Sequence, residues 1–344
     1  MGLRCRQRSW TIWPVLFLLL LSSAACTSRR EVLFEGKTMG TTYHIKVVAD
    51  YWARTGPVAA AIEARLEAVN DSMSTYRPES EISRFNRLAS AGTAFAISED
   101  FNTVMQVART LHRLTEGAWD GTLDPLVDLW GFGRSEHRPV VPSAEAIQAH
   151  LDRVGFDQID LPKPRTLVKR RPAITLDLAS IAKGYGVDAV SGALMELGYT
   201  DFLVEIGGEV YASGTRPGGK PWRVGINTPK AEAGFNEVYK AFELTDRAFA
   251  TSGDYRIFFE SNGKHYSHIL DPRTGYPVSN GVVSASVAAR SCTFADGLAT
   301  ALVVMGAEKG IELVNRLEDV ECLIIVQKPD GSLVDHYSKG FQVQ

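Results

Sequence analysis

Asn262-Gly263 lies between two strand-like runs, and Asp330-Gly331 does the same between residues 322–327 and 332–337. Both dipeptides supply the positive φ that a two-residue antiparallel hairpin demands. Antiparallel strands joined this way need no crossover helix. A chain whose second half is dominated by hairpins is therefore not a run of strand–helix–strand units, and its helical segments do not alternate regularly with strands. The expected class is α+β, with mixed or antiparallel sheets and packed helices, rather than a doubly wound parallel sheet.

The helices are read from periodicity and caps. Ile62, Leu66, Val69 and Met73 form one stripe, which predicts a helix over 58–75. Ser98 is the N-cap of a helix through Phe101, Val104, Ala108, Leu111 and Leu114, closed by Gly117. Ser143 caps another helix, which Gly155 ends. Residues 178–197 read as mostly helix ended by Gly198, and 293–305 and 307–317 as two more. Strands are expected over 41–48, over 174–176, and over 202–206 up to Gly207-Gly208. No low-complexity segment, short repeat or strong linker divides the chain.

The first residues read as an address. Arg4, Arg6 and Arg8 precede an apolar run over 11–21, then Ser22, Ser23, Ala24, Ala25 and Cys26. A basic start, an apolar stretch too short to span a bilayer and a small-residue exit make a signal peptide. A Cys directly after small residues suggests lipidation. The expected organisation is a signal peptide over 1–25, a lipidated Cys26 with a tether over 26–35, and a single domain over 36–344. The expected location is a bacterial membrane lipoprotein facing the periplasm, at the inner membrane. Signal removal takes three Arg and no acid, so the mature chain is more acidic than the −3 of the whole. That balance gives no reason to expect nucleic acid as a partner. Four Cys in 344 residues are no disulfide framework. Cys292 and Cys322 each lie in an apolar run and are expected as buried thiols rather than a pair.

Absences narrow the chemistry. There is no G-x-G-x-x-G after a strand, no H-E-x-x-H and no G-x-S-x-G. Gly214 to Lys220 has Walker A spacing, but Pro221 stands where a hydroxyl would bind magnesium, so the segment reads as a turn. Asp296 and Thr300 are four apart and share a helix face, offering hard oxygens for a cation such as magnesium. Spacing alone favours a plainer reading, an acid near a helix N-terminus and a Thr bonded back to a carbonyl. Asp177 precedes a helix, where a cap is common, and Lys183-Gly184 could approach a phosphate or sit solvated. The segment 202–209, ending Gly207-Gly208-Glu209, allows close backbone approach, and 251–255 reads as a polar turn holding Asp254. His268 at a strand end is the best general-base candidate; the other six His show no comparable setting. Tyr76 and Trp119 could line a pocket for a flat ring or simply pack.

Taken together and in order, these stretches closely resemble the ApbE family of FAD:protein FMN transferases. The matching segments are Thr38-Met39-Gly40-Thr41, Ser74-Thr75-Tyr76, 117–120, 177–185, 206–208, 251–255, 268–275 and 295–300. The resemblance implies two related halves with the flavin between them. It implies an enzyme that uses magnesium and takes FAD as substrate. FMN passes to a Thr or Ser hydroxyl of an acceptor protein as a phosphoester, and AMP leaves. Acceptors of the family include NQR- and RNF-type redox-pump subunits. The resemblance places FAD against Met39, Tyr76, Ala118, Trp119, Asp120, Asp177, Lys183 and Leu270, with Met39 and Tyr76 flanking the ring. It assigns the metal to Asp296 and Thr300 by side chain and to Ser180 by its carbonyl. Ala299 falls where some relatives carry an Asp ligand and can give only backbone oxygen. Lys183 falls where some relatives have Glu. His268, or alternatively Asp254, deprotonates the acceptor. The rival expectations are a diphosphatase that gives FMN and AMP, and a flavin-binding lipoprotein without chemistry.

Overall fold

The computed structural model describes residues 29–133, 140–230, 232–234 and 237–341. The expected signal peptide, Cys26 and residues 27–28 lie outside them, as does His137. In chain order the elements are β1 (Arg29–Thr38), β2 (Thr41–Asp50), α1 (Gly56–Met73), α2 (Glu81–Asn86), β3 (Phe95–Ala96), α3 (Glu99–Leu114), α4 (Asp124–Leu129) and α5 (Ala144–Leu151). They continue with β4 (Ile159–Lys163), β5 (Thr166–Lys169), α6 (Ala179–Glu196), β6 (Phe202–Ile206), β7 (Glu209–Ser213), β8 (Trp222–Asn227) and β9 (Val238–Leu244). The chain closes with β10 (Arg247–Gly253), β11 (Phe258–Ser261), β12 (Lys264–Ser267), β13 (Val282–Ala289), α7 (Cys292–Met305), α8 (Ala307–Val314), β14 (Glu321–Gln327) and β15 (Leu333–Tyr337).

Eight strands form one sheet in the order β1-β2-β6-β7-β10-β13-β14-β15, every neighbouring pair antiparallel. The class is α+β. The sheet divides into two halves of the same plan: β1-β2, then α6, then β6-β7; and β10-β13, then α7, then β14-β15. Both turn dipeptides close hairpins, Asn262-Gly263 between β11 and β12 and Asp330-Gly331 between β14 and β15. Gly214 to Lys220 is a turn between β7 and β8, as its flanking strands suggest.

Alternation decides which face each strand buries. Tyr43, Ile45 and Val47 of β2 stand opposite Ile206, Val204 and Phe202 of β6. All six pack on Val58, Ile62 and Leu66 of α1 and Val187, Val190 and Leu194 of α6. The opposite face carries Val210, Phe249, Leu323 and Ile325, which the β8–β9 hairpin covers with Trp222, Val224 and Phe242. Helix α7 runs through the main core and is buried on nearly every side. Among the described residues no helix is long and apolar enough to cross a membrane.

Several local expectations need correction. Residues 29–35 are not a tether but most of β1, which pairs with β2 over its whole length from Arg29↔Asp50 to Thr38↔Thr41. The segment is charged because it is an edge strand, and exposed edges carry charge. Residues 174–176 form no strand; Asn86 instead takes up both backbone groups of Leu176, at 2.7 and 2.8 Å. Thr251 to Gly253 continue β10 rather than turning. Helix α5 ends at Leu151, short of Gly155, and α8 ends at Val314. Cys292 and Cys322 are buried free thiols.

Candidate active site

The site begins where α6 crosses α7. Gly184 of α6 has no side chain to keep the helices apart: a Cβ there would overlap the Cys292 carbonyl oxygen and come within 2.8 Å of Asp296 Cβ. From the other end, Asp188 of α6 accepts hydrogen bonds from Ser291 Oγ, Cys292 N, Thr293 N and Thr293 Oγ1 at 2.6–2.9 Å. It thereby satisfies the open amides at the start of α7. The two contacts fix Asp296 beside the first turns of α6.

Asp296 is 2% exposed and is the one charged residue of its helix. A carboxylate costs several kcal/mol to bury unless paired, roughly, so its presence marks a site. Its Oδ2 accepts from Gly184 N at 2.9 Å, and its Oδ1 lies 3.7 Å from Lys183 Nζ. Glu209 Oε1 lies 3.0 Å from the same ammonium. Burial pushes the Asp296 and Glu209 carboxyls up, against the pull of Lys183. Burial works against the Lys183 ammonium, yet the two acids outweigh it and hold its pKa above the ordinary lysine value. One turn along α7, Thr300 Oγ1 meets Ser252 Oγ of β10 at 2.9 Å. Ser180 stands half-buried one turn before Lys183, and Ala299 is fully buried.

The tips of two hairpins close over this crossing. Met39 (φ 47°) and Gly40 (φ 73°) form the β1–β2 turn. A positive φ is uncommon for Met, and such residues gather at functional positions. Met39 rests on Gly186 of α6, where a Cβ would stand 2.8 Å from its Cε. The Gly207-Gly208 turn lies alongside, with Gly207 N donating to Thr42 O at 3.1 Å. A Cβ on Gly207 would approach Thr41 Cγ2 to 2.8 Å and Lys183 Cδ to 3.3 Å. Asn70, near the end of α1, donates to Thr38 Oγ1 at 3.0 Å. That bond brings the Ser74-Thr75-Tyr76 segment towards the same tip. Tyr76 is 80% exposed and presents a free ring face. Arg77 braces its base on Glu67 and Asp71.

His268 follows β12, half-buried. Its backbone N and its Nδ1 both point to Ile257 O, at 3.0 and 3.2 Å. A carbonyl only accepts, so Nδ1 carries the proton and Nε2 keeps its lone pair. Burial lowers the His268 pKa below 6.5, with Lys183 adding to the effect. The ring is therefore neutral at pH 7 and able to take a proton. Asp254, just beyond β10, is also half-buried, and burial raises its carboxyl.

A cleft of about 440 Å³ is lined by His112, Gly117, Asp120, Gly155 and Arg273, and of the residues expected to hold FAD only Asp120 lines it. Ala118 and Trp119 are enclosed: Trp119 is 1% exposed and packs edge-on against Phe156. Its indole has no face for a ligand ring, because it fills the core between α3 and α7. Asp120 is spent on Thr122 N, Thr122 Oγ1 and Phe156 N. Leu270 is buried with Leu126, Trp130 and Ile147, so only its backbone can face a ligand. Asp177 takes the plain role of its position, accepting from Ala179 N at 2.8 Å at the start of α6.

Four residues of this region carry no signal of their own in the sequence. Glu209 and Ser252 stand inside recognisable segments, but nothing in their spacing shows that they meet Lys183 and Thr300. Asp188 lies one turn beyond the α6 motif. His112 has no distinctive sequence setting, yet it lies 3.7 Å from Asp120 and 3.6 Å from Asp157.

The model of the ApbE family matches residues 39–324. This chain belongs to the ApbE family. It is 44% identical to an FAD:protein FMN transferase of Vibrio cholerae over 321 residues, covering 93% of this chain and 95% of that one. An FAD:protein FMN transferase of Haemophilus influenzae is 41% identical over 330 residues, with 94% of each covered. Among solved structures, the flavin transferase ApbE from Vibrio cholerae superposes with a TM-score of 0.83 at 42% identity, covering 91% of this chain and 98% of that one. The apo Pseudomonas stutzeri flavinyl transferase ApbE gives 0.81 at 36%, covering 91% and 96%. In this chain the buried acid–lysine–acid cluster lies where the helices of the two halves cross.

Proposed function

We propose that the protein is a magnesium-dependent FAD:protein FMN transferase. The observation that carries this reading is the buried Asp296, paired with Lys183 at the helix crossing, in a chain of a family whose relatives bear that name. A Thr or Ser hydroxyl of an acceptor protein attacks the FMN-side phosphorus of FAD. The new oxygen–phosphorus bond forms as the bond from that phosphorus to the bridging oxygen breaks, and AMP leaves with that oxygen. His268 Nε2 takes the hydroxyl proton, with Asp254 as the alternative acceptor.

The donor set fits a hard divalent cation. Among the described residues, no three His, Cys, Asp or Glu side chains form a metal cluster. Yet two buried acids face one ammonium, and Glu209 Oε2 has no hydrogen-bond partner. Asp296, Thr300 and the Ser180 carbonyl would hold the ion, with Ala299 contributing at most backbone oxygen. The bound ion would stabilise charge on the diphosphate. Lys183 supplies a second positive charge to the phosphates. Met39 and the exposed Tyr76 flank the flavin ring. The backbone of residues 118–120 and of Leu270, with the Asp177 carboxylate, completes the FAD site. The mature chain is a lipoprotein anchored through Cys26, facing the periplasm from the inner membrane. Its acceptors are redox-pump subunits of the NQR or RNF type.

The test uses the chain beginning at Thr27, with FAD, magnesium and an acceptor domain bearing a candidate Thr. Intact mass is expected to show one FMN added to the acceptor, abolished by EDTA and by Asp296→Ala. Free FMN and AMP with unlabelled acceptor would turn the reading to a diphosphatase. Unchanged FAD with tight binding would turn it to a flavin-binding protein.

A further inference from the structure

Glu209 has no part in the transfer as described, and its surroundings give it one. It opens β7 directly after the Gly207-Gly208 turn and is 3% exposed. Oε1 is on Lys183 Nζ at 3.0 Å, while Oε2 is buried with no partner. A buried carboxylate oxygen left without a partner keeps its full desolvation penalty. The fold tolerates it beside an ammonium that also faces Asp296 at 3.7 Å. Lys183 has little choice of path: its stem passes the Gly207 position, and Gly184, the next residue, is pressed against α7. The ammonium is thus held between two acids, closer to the one outside the metal set.

We propose that Glu209 is a positioning residue for Lys183, whose ammonium is the built-in counter-ion of Asp296, and that a divalent cation binds by displacing this ammonium from Asp296 onto Glu209. The proposal rests on the metal-dependent reading above. Without a cation, Lys183 spares the core a bare carboxylate. When a cation enters, Asp296 turns to it, and Glu209 retains the lysine near the phosphates. Lys183 is therefore a tethered competitor of the metal, and Glu209 sets how strongly it competes.

Two substitutions move the competition in opposite directions. Lys183→Met removes the competitor and leaves both acids, so cation affinity rises. Glu209→Gln keeps the side chain's shape but takes away the lysine's alternative partner. Lys183 then stays on Asp296, and cation affinity falls. The experiment is Mn²⁺ binding by electron paramagnetic resonance and Mg²⁺ binding by calorimetry, on the chain from Thr27 without FAD. Melting is followed in EDTA and in excess magnesium. The expected result is at least a tenfold tighter Kd for Lys183→Met, with a larger magnesium-induced rise in Tm than wild type. Glu209→Gln is expected to bind at least fivefold more weakly. Lys183→Gln, smaller and polar, serves in place of Lys183→Met if the latter does not fold. Wild-type affinity in both variants, whatever their Tm, would overturn the proposal and leave the pair structural. Absence of Mn²⁺ binding by the wild type would overturn the metal reading and this proposal with it.

Discussion

At the scale of single residues, the site depends on two atoms that are missing. Gly184 and Gly186 lie in the first half of α6, where a Cβ would meet α7 and Met39 respectively. Gly184→Ala must push against the Cys292 carbonyl, which is backbone and cannot rotate away. The expected cost is about 2–4 kcal/mol of stability. The same change moves Asp296, so magnesium should restore less Tm than in the wild type; a melt with and without magnesium reads both. His268 gives a pH prediction. Its folded pKa lies below 6.5, so transfer should fall as pH drops through that lower value and be level above pH 6.5. His268→Asn should lower kcat by roughly 10²- to 10⁴-fold and abolish that acid limb. The ordinary stability linkage has the same sign. The unfolded chain protonates at 6.5 while the folded ring stays neutral, so stability is lost as pH falls below 6.5. Asp296, Lys183 and His268 were recognisable as candidates because their motifs are local. Glu209 and Ser252 were not, since each meets its partner across more than twenty residues of chain. Nor could spacing show that the Trp119 and Leu270 side chains face inward.

Elements are tied together by acids that sequence periodicity does not reveal. Asp188 binds four donors at the start of α7, so Asp188→Ala should cost about 2–4 kcal/mol, and Asp188→Asn less, in a denaturant titration. Asp100 does the same for three helices. It receives Arg65 from α1 at 3.0 and 3.2 Å and Tyr185 from α6 at 2.7 Å. Burial opposes its charge, but Arg65 and Tyr185 prevail and hold its pKa below the ordinary 3.8. The carboxylate stays charged in the folded protein after the unfolded chain protonates. Its stabilisation is complete above pH 3.8 and is lost as pH falls through the lower folded value. Asp100→Asn should remove that part of the acid transition. The longer helices were legible from stripes and from Ser98 and Ser143, whose side chains accept from Phe101 N and Ala146 N, whereas the six-residue α2 and α4 were too short to show a stripe. The ends at Thr75, at Gly155 and after Val314 were misplaced, because nothing in the sequence marks where tertiary contact stops supporting a turn.

For the whole molecule, hairpin chemistry was enough to exclude a parallel sheet, but not to show the two-half plan. Strand order is set by which hydrophobic faces meet, and β10 reaches β7 only after the β8–β9 hairpin has folded over the sheet. The same limit hid β1. Its polar pattern reads as a tether, whereas an edge strand needs only one apolar side and a partner's backbone. The difference has a measurable consequence. Strand β1 holds one side of the turn that carries Met39, and every residue from Arg29 to Thr38 is paired with β2. A chain beginning at Thr27 keeps the strand; one beginning at Gly36 keeps only Gly36, Lys37 and Thr38 paired with β2 and leaves the rest of that edge open. The longer chain should fold and bind FAD. The shorter should melt roughly 5 °C or more lower, since each 1 kcal/mol shifts Tm by about 2–4 °C at this size. It should also bind FAD more weakly, because the turn that holds Met39 in its positive φ against Gly186 then loses most of its first strand. Equal Tm and equal FAD affinity for the two chains would mean that residues 29–35 are the tether their composition suggests, and that the Met39 turn is held by α1 and α6 alone.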